Sequence, residues 1–113
     1  MDVSSRILLV EDQFLIAMDA EATLNDYGFS HVKIATTMSD ARSLIEEFDP
    51  QIAILDIDMS GETTFELAKT LQGKGVGVAF ASGYSRDASW DSALSNVPII
   101  SKPFSSEDLI SAI

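Results

Sequence analysis

A chain of 113 residues, 46% hydrophobic and 22% charged, has room for one sheet and its covering helices and reads as a single globular domain of ordinary composition. Eighteen acidic residues against 7 basic ones leave a formal net charge of -11, which repels nucleic acid phosphates and anionic lipid headgroups, and the lack of cysteine excludes disulfides, zinc-thiolate sites and cysteine nucleophiles. No apolar stretch approaches the ~20 residues that span a bilayer, and the N-terminal segment lacks the apolar length of a secretory signal. The expectation is a cytoplasmic domain that contacts neither membrane nor nucleic acid directly.

Arg6-Ile7-Leu8-Leu9-Val10 is nearly continuous in apolar character, as a strand buried on both faces requires, and it stops at two acids, Glu11 and Asp12. Between Gln13 and Tyr27, Phe14, Leu15, Ala17, Met18, Ala22 and Leu24 recur at helical spacing, and Gly28 stands where a helix-ending glycine belongs. His31 to Ala35 predicts a short second strand, with His31 a surface turn residue. After Thr36-Thr37 the pattern predicts a helix from about Ser39 to Phe48, with Ser39 as N-cap and Asp49-Pro50 as terminator, because the residue before proline is pushed out of the helical region.

Gln51 to Leu55 predicts the third strand, ending at Asp56. A loop over Asp58-Met59-Ser60-Gly61 then leads to a helix from about Thr63 to Leu71, closed by Gln72-Gly73. Val76 to Ala81 reads as the fourth strand and runs into Ser82-Gly83-Tyr84. Residues 87 to 94 carry a weak helix signal, with Trp90 in partial packing. Val97 to Ser101 is the fifth strand, Lys102-Pro103 turns the chain, and Ser105 or Ser106 caps a last helix. The chain ends about two turns into that helix, so residues 1–113 are expected to be one domain with its last helix truncated. Strands alternating with helices imply parallel strands and right-handed crossovers, a three-layer α/β domain with a five-stranded parallel sheet and helices on both faces.

In such a sheet the carboxyl ends of the strands lie side by side, so Glu11, Asp12 and Asp56 converge although they are far apart in sequence. A lone acid after a strand is ordinarily a turn residue or a helix cap. Acids at two strand ends, with a lysine after another strand, point further. Carboxylates held together repel one another unless a cation relieves them, and with oxygen donors only, Mg2+ fits better than a transition metal. A carboxylate is also a nucleophile toward a phosphoryl group, a reaction that asks mainly for positioning and charge neutralisation. Lys102 has the reach to neutralise a phosphoryl oxygen, and the Ser82 hydroxyl could hydrogen-bond one, with Gly83 leaving backbone room beside it. Read alone, Ser82 is a routine loop serine.

RILLVED, ILDIDMSG, AFASGY and SKPF stand in the order and approximate spacing of the receiver domains of bacterial two-component response regulators, which the chain resembles over essentially its whole length. The resemblance implies a flavodoxin-like (CheY-like) fold and a phosphorylation-dependent signalling switch. It assigns Mg2+ to Glu11, Asp12, Asp56 and the backbone carbonyl of Asp58. Asp56 becomes the acceptor of a phosphoryl group from a sensor histidine kinase or a histidine phosphotransfer protein, with Ser82 and Lys102 on the phosphoryl oxygens and a downstream protein effector reading the result. Phe14, near the start of the first helix, either docks the phosphodonor or packs internally. Two departures stand out. Met59-Ser60-Gly61 replaces the usual Met-Pro-Gly, and Ile99 occupies the position of the usual aromatic switch residue. Phe80-Ala81-Ser82-Gly83-Tyr84 resembles instead the Phe-Ala-Thr-Gly signature of an alphaproteobacterial subgroup that lacks that aromatic. In that subgroup the loop after the fourth strand is expected to carry more of the change. In this chain Tyr84, two residues beyond Ser82, is expected to replace the missing aromatic by moving as its loop closes on the phosphoryl group.

Two other readings compete. Asp56-Ile57-Asp58 also resembles the Asp-x-Asp of haloacid dehalogenase-type aspartyl phosphatases, but that reading leaves Glu11 and Asp12 unexplained. A non-phosphorylated pseudo-receiver would act as an interaction module and would need none of the acids, the hydroxyl or the lysine.

Overall fold

In the computed structural model, which describes residues 3–59, 61–82, 94, 96–101 and 106–111, the elements follow in the order β1 (Ile7–Val10), α1 (Phe14–Asp26), β2 (Val32–Ala35), α2 (Met38–Glu47), β3 (Ile52–Asp56), β4 (Asp58–Met59), β5 (Glu62–Thr63), α3 (Phe65–Gly73), β6 (Gly77–Ser82), β7 (Ile99–Ser101) and α4 (Ser106–Ser111). The main sheet has five parallel strands in the order β2-β1-β3-β6-β7. The chain thus leaves β1 for one side and returns to pair on the other, which puts the topological switch point between β1 and β3. Crevices of this kind, at the carboxyl ends of the strands, are where open α/β sheets bind ligands. The three-layer α/β fold is as expected.

The unbroken apolar strands are explained by burial on both sides. Leu8, Val10, Ala53 and Leu55 join one core with residues of α2 and α3, while Ile7, Leu9, Ile52 and Ile54 join a second with Ala20 and Leu24 of α1. At the far side of the first core Phe65 meets Phe80 edge to face, with ring centroids 5.8 Å apart. On the other face α4 lies against α1.

Two helices end by the same device. After α1, Gly28 at φ 99° donates to the Asn25 carbonyl while the Phe29 amide reaches back to Leu24; after α3, Gly75 at φ 83° donates to Gln72 while Val76 reaches Leu71. This is the Schellman arrangement, and the apolar pairs Phe29 with Leu24 and Val76 with Leu71 are buried in each case. Gly28 therefore acts as expected. The third helix, expected to close at Gln72-Gly73, instead includes Gly73 and is stopped by Gly75.

Other boundaries moved for equally local reasons. The cap of α2 is Thr37 rather than Ser39: Thr37 is extended at φ -134° and ψ 160°, and its side chain accepts the Asp40 amide. Asp49 ends α2 as expected, but in the left-handed region at φ 52°. Aspartate tolerates that conformation, and Arg6 holds it, its Nε donating to the Asp49 carbonyl at 2.7 Å and its guanidinium 3.6 Å from the carboxylate. Where a plain loop was expected after Asp56, Asp58 and Met59 pair antiparallel with Thr63 and Glu62. The hairpin is pinned inward by Met59, which is 1% exposed, and turned by Gly61 at φ 87°. Ile99 lies beside Phe80 and packs half-buried on the first core. The expectations for Ser60, Gly83, Tyr84, residues 87–93 with Trp90, Lys102-Pro103 and Ser105 lie outside the described residues.

Candidate functional site

Register decides which side chains meet. Leu9 of β1, Ile54 of β3 and Ala79 of β6 all face the α1 side of the sheet, and side chains two residues on fall on the same face. That places Glu11, Asp56 and Ala81 together at the carboxyl edge. The ladder pairs Val10 with Leu55, so one further step brings Glu11 beside Asp56, and Asp56 itself pairs with Ala81. The Glu11 amide donates to the Ala35 carbonyl at 3.0 Å, which keeps the chain tied to β2 as it delivers its two acids. Carboxylate oxygens of Glu11, Asp12 and Asp56 lie within 4.8 Å of one another. Glu11 is 6% exposed, Asp56 is half-buried and Asp12 is exposed.

At that spacing each carboxylate pair repels by roughly 1–3 kcal/mol, between the limits of bulk water and a near-surface dielectric. The floor is apolar: Leu9, Ile16, Ala17, Ile54 and Ala81 line a cleft of about 20 Å³ beneath Glu11 and Asp56. Apolar walls strengthen the field felt by a cation above them. Three hard oxygen donors from two strand ends are a donor set that suits Mg2+, which binds through few carboxylates and keeps several waters. The residues present therefore fit the ion expected from the sequence.

The remaining candidates fall around this centre. Asp58 is exposed on β4, two residues beyond Asp56, and its carboxylate is not one of the three in the cluster. Ser82 closes β6 one residue past Ala81, with its backbone paired to Ser101 at the end of β7. Lys102 is the next residue in the chain after Ser101. The Ser82 side chain and all of Lys102 lie outside the described residues. Phe14 is 55% exposed and Leu15 81% exposed at the start of α1. Of the two alternatives for Phe14, internal packing is thus ruled out.

One residue escaped the sequence reading. Thr64 is fully buried, at 0% exposure. Its hydroxyl donates to the backbone carbonyl of Asp56 at 2.6 Å, and its amide donates to the Ile57 carbonyl at 2.8 Å. A threonine ahead of an apolar helical run ordinarily signals a cap. Here the side chain makes no cap hydrogen bond to α3, and nothing local in the sequence distinguishes the two uses.

A doubly wound sheet with a carboxylate cluster at its switch point defines a class, and the match is specific: the chain belongs to the response regulator receiver domain family, whose profile covers residues 7–113. Among curated proteins it is 28% identical over 109 residues to the phyllosphere-induced regulator PhyR of Methylorubrum extorquens, an alignment covering 91% of this chain and 40% of PhyR. Among solved structures it resembles SdrG from Sphingomonas melonis Fr1, at 33% identity over 99% of this chain and 95% of that one, with a TM-score of 0.82. PhyR from Brucella abortus matches at 26% identity over 96% of this chain and 45% of that one, with a TM-score of 0.75. The chain thus spans less than half the length of either PhyR and nearly all of the SdrG structure. Among the described residues no helix is long and apolar enough to cross a membrane.

Proposed function

We propose that residues 1–113 form a phosphorylation-dependent switch of a two-component system, in which Asp56 accepts a phosphoryl group from a phosphohistidine of a sensor kinase or histidine phosphotransfer protein. The observation that carries this reading is the meeting of Glu11, Asp12 and Asp56 within 4.8 Å at the switch point of the sheet. An Asp56 carboxylate oxygen attacks phosphorus, the P–N bond of the donor breaks, and the imidazole leaves with the electron pair and takes up a proton. Water later attacks the phosphoaspartate, releasing inorganic phosphate and returning the carboxylate. Glu11, Asp12, Asp56 and the Asp58 carbonyl would hold Mg2+, which when bound would supply charge neutralisation at the phosphoryl oxygens. In the same reading Lys102 and Ser82 contact those oxygens from the ends of β7 and β6. The exposed Phe14 and Leu15 offer the donor an apolar foothold beside the site, and a cytoplasmic protein effector reads the phosphorylated state.

Membership in the receiver family removes the support for a haloacid dehalogenase-type phosphatase, which never accounted for Glu11 and Asp12. Labelling with acetyl phosphate or with a phosphohistidine donor, with and without Mg2+, tests the proposal. The parent should label in a Mg2+-dependent manner, and Asp56→Asn should abolish labelling. Label retained by Asp56→Asn refutes the acceptor, and a folded parent that never labels points to the pseudo-receiver reading.

A further inference from the structure

The segment between Asp56 and α3 carries Asp58 and turns back on itself, yet it is fixed at both ends by one residue. Thr64 donates its hydroxyl proton to the Asp56 carbonyl at 2.6 Å, stands 3.4 Å from the Ile57 carbonyl through the same oxygen, and donates its amide to Ile57 at 2.8 Å. Its own carbonyl accepts the Ala68 amide at 2.9 Å as the first bond of α3. One buried side chain therefore bridges the seven residues that separate it from Asp56 and ties the backbone of that strand end to the start of a helix.

Thr64 stands at the N-cap position of α3, where a threonine hydroxyl would ordinarily accept a helix amide. Spending it instead on a strand-end carbonyl leaves the helix with one capping bond fewer. The acceptor's backbone gains what the helix lost. Ile57 at 7% exposure and Met59 at 1% exposure are anchored in the core on either side of Asp58. Removing the hydroxyl takes away a 2.6 Å bond to the Asp56 carbonyl and with it the side-chain tie between the strand end and the start of α3, so the backbone that carries Asp56 and Asp58 is held less firmly.

We propose that Thr64 is a positioning residue for the phosphoacceptor, holding Asp56 and the Asp58 segment in the geometry that binds the divalent ion and receives the phosphoryl group. This rests on the function proposed above and adds to it a residue that touches neither the ion nor the phosphoryl group.

The test compares the parent with Thr64→Ser, which keeps the hydroxyl, and Thr64→Val, which keeps the shape and loses it. Two quantities are read on each full chain: the Mg2+ dissociation constant by calorimetry, and the acetyl-phosphate labelling rate at fixed Mg2+. Thr64→Val should raise the Mg2+ dissociation constant and slow labelling, each by about tenfold, the upper range for one net hydrogen bond. Thr64→Ser should restore both to within about twofold of the parent. Thermal melting reports stability separately. If Thr64→Val does not fold, Thr64→Ala takes its place, since its smaller side chain lets water reach the freed carbonyl. Parental Mg2+ affinity and labelling in the folded hydroxyl-free variant overturn the proposal, as does equal impairment in Thr64→Ser. A parent that neither binds Mg2+ nor labels instead overturns the underlying function.

Discussion

Asp56 is bound by two opposing demands. In the proposed function it sits close enough to Glu11 and Asp12 to share a cation, and that closeness should destabilise the ion-free protein through carboxylate repulsion. Removing one charge should expose the trade. In Mg2+-free buffer Asp56→Asn should melt above the parent, because one of the three charges is gone. With Mg2+ in hundredfold excess over its dissociation constant the parent should gain about 2.7 kcal/mol by linkage, and the variant should gain less. Thermal melts with and without chelator measure both. A parent whose melting temperature ignores Mg2+ would remove the ion from this site. Ala81 matters at the same scale, since the residue paired with Asp56 carries only a methyl group and lines the cleft beside Glu11 and Asp56.

Among the elements, α3 carries two glycines at its C-terminal end, Gly73 inside the helix and Gly75 just past it. Gly73 lies within the helix with no atom within 4 Å of where a Cβ would stand, while Gly75, equally uncrowded, holds φ 83°. The two positions therefore separate helix propensity from backbone handedness. Gly73→Ala should stabilise the fold by roughly 0.5–1 kcal/mol. Gly75→Ala should cost about 1–2 kcal/mol by forcing an L side chain into the left-handed region. Urea titrations of the two variants read the signs directly, and a stabilising Gly75→Ala would contradict the Schellman assignment. The β4-β5 hairpin belongs to this scale as well. It converts the stretch after Asp56 into a short arm anchored by Met59, where a plain loop was expected.

At the scale of the molecule, a net charge of -11 on one domain opposes compaction, and the cluster at the switch point concentrates part of it. Monovalent salt should therefore raise the melting temperature between low ionic strength and about 1 M, where the Debye length falls to about 3 Å. Mg2+ at millimolar concentration should act beyond that screening in the parent and only through screening in Asp56→Asn. Matching the ionic strength with NaCl separates the two. A melting temperature independent of salt would mean that the self-repulsion is negligible.

Much of this is legible in the sequence. Apolar runs of four residues that stop at acids, a glycine after the first and third helical patterns and a proline after the second are local signals, and local signals report alternation, handedness and chain reversal. They sufficed for the parallel α/β architecture and for the convergence of Glu11, Asp12 and Asp56, because residues at the same end of parallel strands must be neighbours. What they could not resolve were choices between equivalent local donors. Thr37 and Ser39 are both competent caps, Gly73 and Gly75 both competent terminators, and Thr64, which fell inside the expected helix, gives its hydroxyl to Asp56. Each was settled by which group the folded core buries and which carbonyl it brings within hydrogen-bonding distance. Those are properties of the packed chain, absent from any short window of it.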